Sequence, residues 1–292
     1  MSAPIAIFAF NRPEALQRMI NSLKTNPEYK ESEKYFFIDG ARTPDEQAAV
    51  DKVIEIARRE SGNVSCNPGN IGLGSNIIRG VSTVLSKYAR VIVIEDDLVL
   101  MPGFLKFMND SLTYFENDNR ILSVCGYSLQ FKVPERYASS VYLGDRASSW
   151  GWATWRDRWV KVDWTVKDWR EFSNDKSAIK GFNRAGSDLF SMLKDYMEGR
   201  NRSWAIRFCY HQYRHSLWSV HPIQSLVDNE GFGLAATNCR QKYNRFKIDP
   251  AENNSFTISQ SLEPEPDILK QLHKYHSIPI RIYSRLRKIL NI

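Results

Sequence analysis

The stretch that decides the fold reads Arg90-Val91-Ile92-Val93-Ile94-Glu95-Asp96-Asp97-Leu98-Val99-Leu100. Four β-branched apolar residues followed by three acidic ones are typical of a buried parallel strand that ends at a sheet edge. Ligands of open α/β sheets lie beyond the carboxyl ends of the strands, and clustered carboxylates repel one another unless a cation or hydrogen-bond donors neutralise them. The stretch therefore predicts either a divalent-metal site that holds a phosphorylated ligand or a solvated strand end with a capping role.

The composition is that of an ordinary globular protein. The 292 residues suffice for one large or two modest domains, and no apolar run reaches the roughly 18 residues that span a bilayer. The first residues lack the basic region of a secretory signal. The four cysteines show no Cys-x-x-Cys pair, which favours reduced, mostly buried thiols in a cytosolic protein. The net charge of +7 indicates an acidic partner such as a nucleotide sugar, an anionic membrane or nucleic acid.

Strand-like and helix-like segments alternate ahead of the acidic stretch. A strand over 4–10 leads into a helix that begins near Pro13, and a strand over 34–38 ends at Asp39. An acidic residue there commonly contacts a ribose or base, with a simple turn residue as the alternative. A short strand over 64–66 leads into a glycine-rich loop, 67–76, whose backbone can approach a ligand at the start of a helix beginning at Ile77. The order predicts a doubly wound sheet with polar groups at successive strand ends.

Two further patterns concern single elements. Thr43 and Glu46 have the spacing of a helix-capping box. In the second half, seven of the eight tryptophans lie between Trp150 and Trp204. Such rings either fill a core or offer flat apolar faces to a sugar ring.

The polar groups at the strand ends resemble a known family. The order Asn11-Arg12, Asp39, Asn70-x-Gly72-Leu73-Gly74 and Glu95-Asp96-Asp97 resembles the donor half of GT-A glycosyltransferases, with the triplet as their acidic "DXD" metal motif. The triplet and the Pro102-Gly103-Phe104 that follows are similar to the eukaryotic N-acetylglucosaminyltransferase that initiates complex N-glycans. They are also similar to bacterial glycosyltransferases of lipopolysaccharide and exopolysaccharide synthesis. The resemblance spans roughly residues 4 to 246 and implies a Rossmann-like, mixed, mostly parallel sheet flanked by helices.

The resemblance also implies roles for individual residues. Asp97 would bind Mn²⁺ or Mg²⁺. The implied contacts of the nucleotide-sugar donor are Phe10, Asn11, Arg12, Asp39, Asn70, Gly72, Leu73, Gly74, Arg79, Glu95 and Asp96. The implied acceptor contacts are Trp150, Gly151, Trp152 and Trp204. Asp168 is the implied general base, because Lys167-Asp168-Trp169 is similar to the segment that carries the base in the N-acetylglucosaminyltransferase, and Asp163 is the second candidate.

Two positions depart from the bacterial pattern, and the tail stands apart from it. Arg202 replaces an acidic residue, and Asn238 stands near the place of a usual histidine. We divide the chain into a donor-binding half (1–126), an acceptor-binding half (127–246) and a helical tail (247–292). Within the tail, 278–290 reads as a basic amphipathic helix. It predicts either an anchor on an anionic membrane or a helix docked on its own domain.

Together these features predict a metal-dependent, inverting glycosyltransferase that uses a nucleotide sugar, with a UDP-sugar favoured. The expected acceptor is a saccharide or lipid-linked saccharide of bacterial surface polysaccharide synthesis, and the expected location is cytoplasmic and peripheral on the inner face of the plasma membrane. The alternatives are a nucleotidyltransferase on a related sheet and a non-catalytic carbohydrate-binding protein. A nucleic-acid partner is not expected, because the aromatic residues are not interleaved with basic ones in a recognisable module.

Overall fold

The computed structural model describes residues 2–230, 245–248, 256–258 and 262–290. Its strands are β1 (Ile5–Ala9), β2 (Lys34–Ile38), β3 (Val64–Cys66), β4 (Arg90–Glu95), β5 (Leu98–Leu100), β6 (Ile121–Cys125), β7 (Val141–Gly144), β8 (Trp152–Trp155), β9 (Trp218–Pro222) and β10 (Val227–Asn229). Eight of them form one sheet in the order β3-β2-β1-β4-β8-β6-β9-β7, and β5 pairs with β10 separately. The predicted strand at the acidic stretch is thus an interior strand of the sheet.

Helices cover the sheet and extend beyond it. They are α1 (Pro13–Leu23), α2 (Gln47–Glu60), α3 (Leu73–Lys87), α4 (Phe104–Tyr114), α5 (Arg156–Trp159), α6 (Trp169–Phe172), α7 (Lys176–Phe182), α8 (Leu189–Met197), α9 (Trp204–Arg214), α10 (Pro266–Tyr275) and α11 (Ile278–Leu290). No helix in the described parts of the chain is long and apolar enough to cross a bilayer.

The sheet is mixed, as the sequence predicts. Strands β3, β2, β1 and β4 are mutually parallel, β8 runs antiparallel between β4 and β6, β9 is parallel to β6, and β7 is antiparallel at the edge. The carboxyl ends of the first four parallel strands therefore meet at one edge, where the sequence places its polar groups. The predicted Rossmann-like, mostly parallel α/β architecture is confirmed.

Two apolar layers hold the helices against the sheet. One face packs on buried residues of α1, α2 and α4, and the other packs on α3 and α9. Residues 91–94 of β4 have no exposed surface, which explains their unbroken run of β-branched residues. A third cluster joins α6, α7, α8 and α9 beside the sheet.

Two local predictions are wrong. Thr43 makes no capping hydrogen bond through its side chain; a 3₁₀ turn over Pro44–Glu46 comes first, and α2 begins at Gln47. Glu46 instead accepts a hydrogen bond from the backbone N–H of Arg42. Helix α3 begins at Leu73 rather than at Ile77, because Gly72 takes a φ of +82° and lets the chain turn directly into the helix.

Candidate active site

The acidic triplet lies where β4 ends, next to the end of β1. Asp96 and Asp97 form the turn between β4 and β5. The Arg12 guanidinium bonds to Asp96, and its Nη1 lies 3.2 Å from Oδ2 of Asp97. The backbone N–H of Phe10 donates to Oδ2 of Asp96 at 3.4 Å. The structure thus brings Phe10 and Arg12 to the triplet, although the sequence separates them by about 85 positions.

The triplet holds more negative charge than its partner neutralises. Burial, together with the charges of Asp97 and Asp96, raises the pKa of Glu95 to about 8. Burial also raises the pKa of Asp96 to about 6, against the attraction of Arg12. Among the described residues, the Arg12 guanidinium is the one cation that pairs with the two carboxylates of Asp96 and Asp97. An added cation therefore fits this turn electrostatically.

The donor set suits a divalent ion that shares its coordination with a ligand. In the described ranges, no group of three or more His, Cys, Asp and Glu side chains is arranged to hold a metal. Mg²⁺ is commonly bound by one or two carboxylates together with substrate phosphates. Asp97 is the more accessible of the two turn carboxylates, since its side chain is 19% exposed and that of Asp96 is 3% exposed.

Strand β10 fixes the backbone at Asp97. The carbonyl oxygen of Asp97 accepts a hydrogen bond from the N–H of Glu230 at 3.0 Å. Val99 pairs with Asp228 in the β5–β10 ladder. The side chain of Glu230 in turn binds Arg18 of α1 at 2.8 Å. Strand β10 thus holds the backbone of the turn, and Glu230 connects it to α1.

Asp39 organises the glycine-rich loop rather than pointing to an open surface. It is 4% exposed. Its oxygens accept hydrogen bonds from the N–H groups of Ile71 and Gly72, both at 2.9 Å, and from the amide of Asn67 at 3.0 Å. The sequence left a ligand contact and a turn role open for Asp39. The hydrogen bonds that Asp39 makes in the structure are those of a residue that shapes a turn.

Other predicted donor residues bind one another around this loop. The amide of Asn70 donates to the carbonyl of Gly40 at 3.0 Å, and Arg79 bonds to Asn67. Asn11 donates to Glu46 at 3.1 Å. These contacts connect the loops that follow β1, β2 and β3 into one network at the sheet edge.

The start of α3 is open on one side and closely packed on the other. Leu73 is 51% exposed. A β-carbon at Gly74 would overlap the carbonyl oxygen of Arg202, while the Arg202 side chain lies 3.7 Å from the corresponding position of Gly72. The position that departs from the bacterial pattern therefore lies against the predicted donor loop.

A cleft of about 390 Å³ is lined in part by residues that follow β6 and β7 and precede β8. Strand β8 pairs antiparallel with β4, and this ladder ends at Trp152 and Val93. Gly151, just before β8, lies against Val227 of β10, whose ladder partner Leu100 is three residues past Asp97. Trp150 lines the cleft with Tyr127 and Phe246. Their ring centroids lie 4.4 Å (Tyr127 to Trp150) and 5.8 Å (Trp150 to Phe246) apart. This wall offers the aromatic faces expected of a sugar-binding site.

The tryptophans predicted to contact the acceptor separate into two groups. Trp150 is half-buried in the cleft wall, and Gly151 beside it adopts a φ of +59°. Trp152 and Trp204 are 1% and 3% exposed and stack with their centroids 4.7 Å apart. This burial corrects the prediction for Trp152 and Trp204: both rings pack in the core, because a large apolar ring gains most from full burial.

The two candidate bases lie outside the cleft. Asp168 accepts a hydrogen bond from Tyr210 at 2.9 Å and forms an ion pair with Arg214 at 2.9 Å, near the end of α9. Asp163 accepts hydrogen bonds from Thr165 and from the backbone of Lys167. Burial would raise the pKa of Asp163, but these bonds outweigh it and lower the pKa to about 2. Neither carboxylate lines the cleft.

Sequence reasoning missed the polar lining of the cleft. It includes Arg146 and Asp188, which form a two-bond ion pair at 2.9 Å, together with Arg245 and His276. These residues stand far apart in sequence and belong to no motif, so only the folded chain identifies them. Asn238 lies outside the described residues.

The comparisons with known proteins agree with this geometry. Residues 5–143 match the model of the family described as glycosyl transferase family 2. No curated protein matches the sequence significantly. The chain is similar in structure to GalNAc-T7 with UDP, GalNAc and Mn²⁺, at a TM-score of 0.51 and 10% identity, covering 78% of this chain and 43% of that one.

Two other solved structures are less similar. The mannosyltransferase PcManGT from Pyrobaculum calidifontis, in complex with GDP-Man and Mn²⁺, has a TM-score of 0.36 and 11% identity, over 54% of this chain and 46% of that one. A cytidylyltransferase from Leptospira borgpetersenii has a TM-score of 0.36 and 17% identity, over 56% of this chain and 64% of that one. The chain thus spans less than two thirds of the length of each of these three proteins. The family match thus covers residues 5–143, and the sheet order together with the likeness to GalNAc-T7 shows that the chain has the GT-A fold.

Proposed function

We propose that this protein transfers a sugar from a nucleotide sugar, with a UDP-sugar favoured, to a saccharide or lipid-linked saccharide acceptor, and that transfer depends on Mn²⁺ or Mg²⁺. The observation that carries the proposal is the acidic turn after β4, where Arg12 is the one cation among the described residues that pairs with Asp96 and Asp97, and Glu95 precedes them. The turn lies at the sheet edge where ligands of α/β folds bind, and the chain also provides an aromatic cleft. The related fold of GalNAc-T7 was solved with UDP and Mn²⁺.

The residues of the chain suggest a division of labour. Asp97 would hold the divalent ion, which when bound stabilises the negative charge of the departing diphosphate. The backbone N–H groups at the start of α3 would face the same negative charge, because a helix N-terminus favours anions. Asp39 would keep the loop before α3 in shape, and Trp150 would orient the acceptor. The division into donor half, acceptor half and tail belongs to the same proposal.

An inverting transfer also needs a base within hydrogen-bond distance of the acceptor hydroxyl. The sequence proposes Asp168, with Asp163 second. Both have partners outside the cleft, as described above, so their role is the part of the mechanism that most needs a separate test.

Nucleotide binding tests the proposal. We expect UDP or a UDP-sugar with Mn²⁺ to stabilise the protein by about 2.7 kcal/mol at 100 times the dissociation constant, measured as a thermal shift. Asp97→Asn should abolish the part that depends on Mn²⁺, whereas Asp51→Asn, an exposed carboxylate on α2, should retain it. The proposal fails if no nucleotide or nucleotide sugar stabilises the wild-type protein with or without Mn²⁺.

The same variants separate the alternatives. A non-catalytic carbohydrate-binding protein would bind glycans equally well with Asp97→Asn and would show no metal-dependent binding of nucleotide. A nucleotidyltransferase would release pyrophosphate from a nucleoside triphosphate in the presence of a sugar phosphate. A glycosyltransferase would release UDP from its donor.

The surface of α11 supports a peripheral position on a membrane. Ile278, Ile282, Leu286 and Leu290 recur every four residues and are 51–63% exposed. The helix contains Arg281, Arg285, Arg287 and Lys288 and no acidic residue. An apolar stripe flanked by cations is complementary to an anionic lipid surface. We place the protein on the cytoplasmic face of a membrane, where a lipid-linked acceptor of bacterial surface polysaccharide synthesis would be within reach.

Vesicle cosedimentation tests this position. The protein should bind vesicles that contain phosphatidylglycerol and not vesicles of phosphatidylcholine alone, and Leu286→Asp should weaken the binding. Val160→Asp, at an apolar residue that is 70% exposed elsewhere, should not. Equal binding of both variants would contradict a role for α11.

A further inference from the structure

The cleft lined by Trp150 has an excess of cationic side chains in and around its polar lining. Four arginines lie in or next to it, and we call them the arginine cluster: Arg146, Arg184, Arg245 and Arg281. The carboxylates among them are Asp188, which pairs with Arg146, and Asp145, which lies 4.0 Å from Arg184 and accepts a hydrogen bond from His273. Among the described residues of this region, positive charges thus outnumber negative ones.

Arg245 forms no ion pair with a carboxylate of the described residues. It lines the cleft and is half-buried. Its guanidinium lies over the rings of Phe246 at 4.4 Å and Tyr275 at 5.3 Å. Its Nη1 is buried and has no hydrogen-bond partner among the described residues. Because buried donors are normally paired, this guanidinium is suited to an anion that arrives with a ligand.

His276 lies among these cations. Burial, together with the neighbouring Arg146 and Arg245, lowers the pKa of His276 to about 3, against the attraction of Asp188. The imidazole is therefore neutral, and its buried Nδ1 also has no partner in the described residues. A ligand with hydrogen-bonding oxygens could contact both the Arg245 guanidinium and Nδ1 of His276.

The aromatic wall lies next to these cations. Phe246 directly follows Arg245 and contacts Trp150. Gly151, next to Trp150, lies against Val227, whose ladder partner Leu100 is three residues past Asp97. A sugar ring on this wall would therefore lie next to the arginine cluster. Guanidinium groups bind carboxylates and phosphates through two parallel hydrogen bonds.

We propose that the cleft selects an acceptor sugar that carries negative charge, as a carboxylate or a phosphate, and that Arg245 binds this anion. The inference rests on the proposed function and adds the chemical class of the acceptor. Arg202, by contrast, lies at the donor loop and takes no part in this selection.

Competition between charged and neutral sugars tests the inference. Ligand-observed NMR titrations at constant ionic strength, with UDP and Mn²⁺ present, would use D-glucuronate, D-glucose 6-phosphate, D-glucose and inorganic phosphate. At least one of the two charged sugars should bind about tenfold or more tightly than glucose, since charge-assisted hydrogen bonds are about twice as strong as neutral ones. Arg245→Gln should reduce this preference to within about twofold. Arg59→Gln, at an exposed arginine of α2, should leave it unchanged.

The outcomes are distinguishable. The charged sugar that binds identifies a carboxylate or a phosphate as the anion, and Arg245→Lys, which keeps the charge, should retain part of the preference even if Arg245→Gln folds poorly. The inference is overturned if neither charged sugar is preferred over glucose, or if inorganic phosphate binds as tightly as both. Metal-dependent binding of UDP in the same samples shows whether the proposed function still stands when the inference fails.

Discussion

Removing the Asp39 carboxylate should act mainly by destabilising the donor loop, and not by removing a direct contact with a ligand. The perturbation is Asp39→Ala. It takes the acceptor away from the N–H groups of Ile71 and Gly72, which donate at 2.9 Å, and from the N–H of Gly40 at 3.1 Å. The amide of Asn67 loses one partner but keeps a second, because it also donates to Asn76 at 3.2 Å.

The magnitude follows from how accessible these donors are to water. A buried donor left without an acceptor costs about 1–3 kcal/mol. Ile71 and Gly72 are only half-buried, so the lower end of that range applies to each, with a smaller contribution from Gly40. The sum is about 2–4 kcal/mol. For a chain of this size it corresponds to a fall in Tm of about 3–7 °C.

Thermal unfolding and a UDP titration in Mn²⁺ measure the two effects separately. Asp39→Ala should lower Tm and weaken UDP binding together, and Asp39→Asn, which keeps one acceptor oxygen, should fall between it and the wild type. Asp45→Asn, at an exposed carboxylate on the loop before α2, is the matched control and should change neither. The reasoning is refuted if Asp39→Ala leaves Tm within about 1 °C while UDP binding falls tenfold or more, because that result belongs to a direct ligand contact.

Three other perturbations test separate parts of the structure. Trp204→Ala should lower the free energy of unfolding, measured in urea, by about 3–5 kcal/mol. Trp150→Ala should lower it by less and should mainly raise the KM for the acceptor. Equal losses of stability would contradict the assignment of Trp204 to the core and Trp150 to the cleft. Asp168→Asn breaks a partly exposed ion pair with Arg214, so it should lower the free energy of unfolding by less than about 1 kcal/mol and leave kcat unchanged. A fall in kcat of about 100-fold at constant Tm would instead support the role of general base that the sequence predicts. Burial and the neighbouring His215 lower the pKa of His211 to about 4. As the pH falls from about 6.5 towards 4, the unfolded chain therefore binds a proton that the native state does not. The Tm should drop in that window, and the drop should be smaller for His211→Gln.

The donor side of the site could be predicted because it follows from the order of strand ends. Parallel strands bring their carboxyl ends to one edge whatever the intervening sequence, so Arg12 and the triplet were expected to lie together, and the structure joins them. What the sequence could not give is the direction of each side chain. Asp39 occupies the expected edge, yet its oxygens turn back to the loop that follows β3.

The cleft could not be predicted, because its lining comes from segments that no local pattern connects. Arg146 follows β7, Asp188 precedes α8 and His276 follows α10. They meet only through the packing of α8 and α10 beside the sheet, which depends on long-range contacts such as the bond from Ser187 to the carbonyl of His276 at 2.9 Å. Residue type alone does not distinguish these side chains from solvated surface charges.

Helix α9 connects the two sides of the site and gives the buried tryptophans a positional role. Its first residue, Trp204, stacks on Trp152 in the core, which fixes the start of the helix against the sheet. The preceding carbonyl of Arg202 then lies against Gly74 of the donor loop, while Ser203 lines the cleft. The tryptophans therefore act on both halves of the site through the placement of α9, since a rigid, fully buried pair determines where the helix begins more precisely than an exposed ring could.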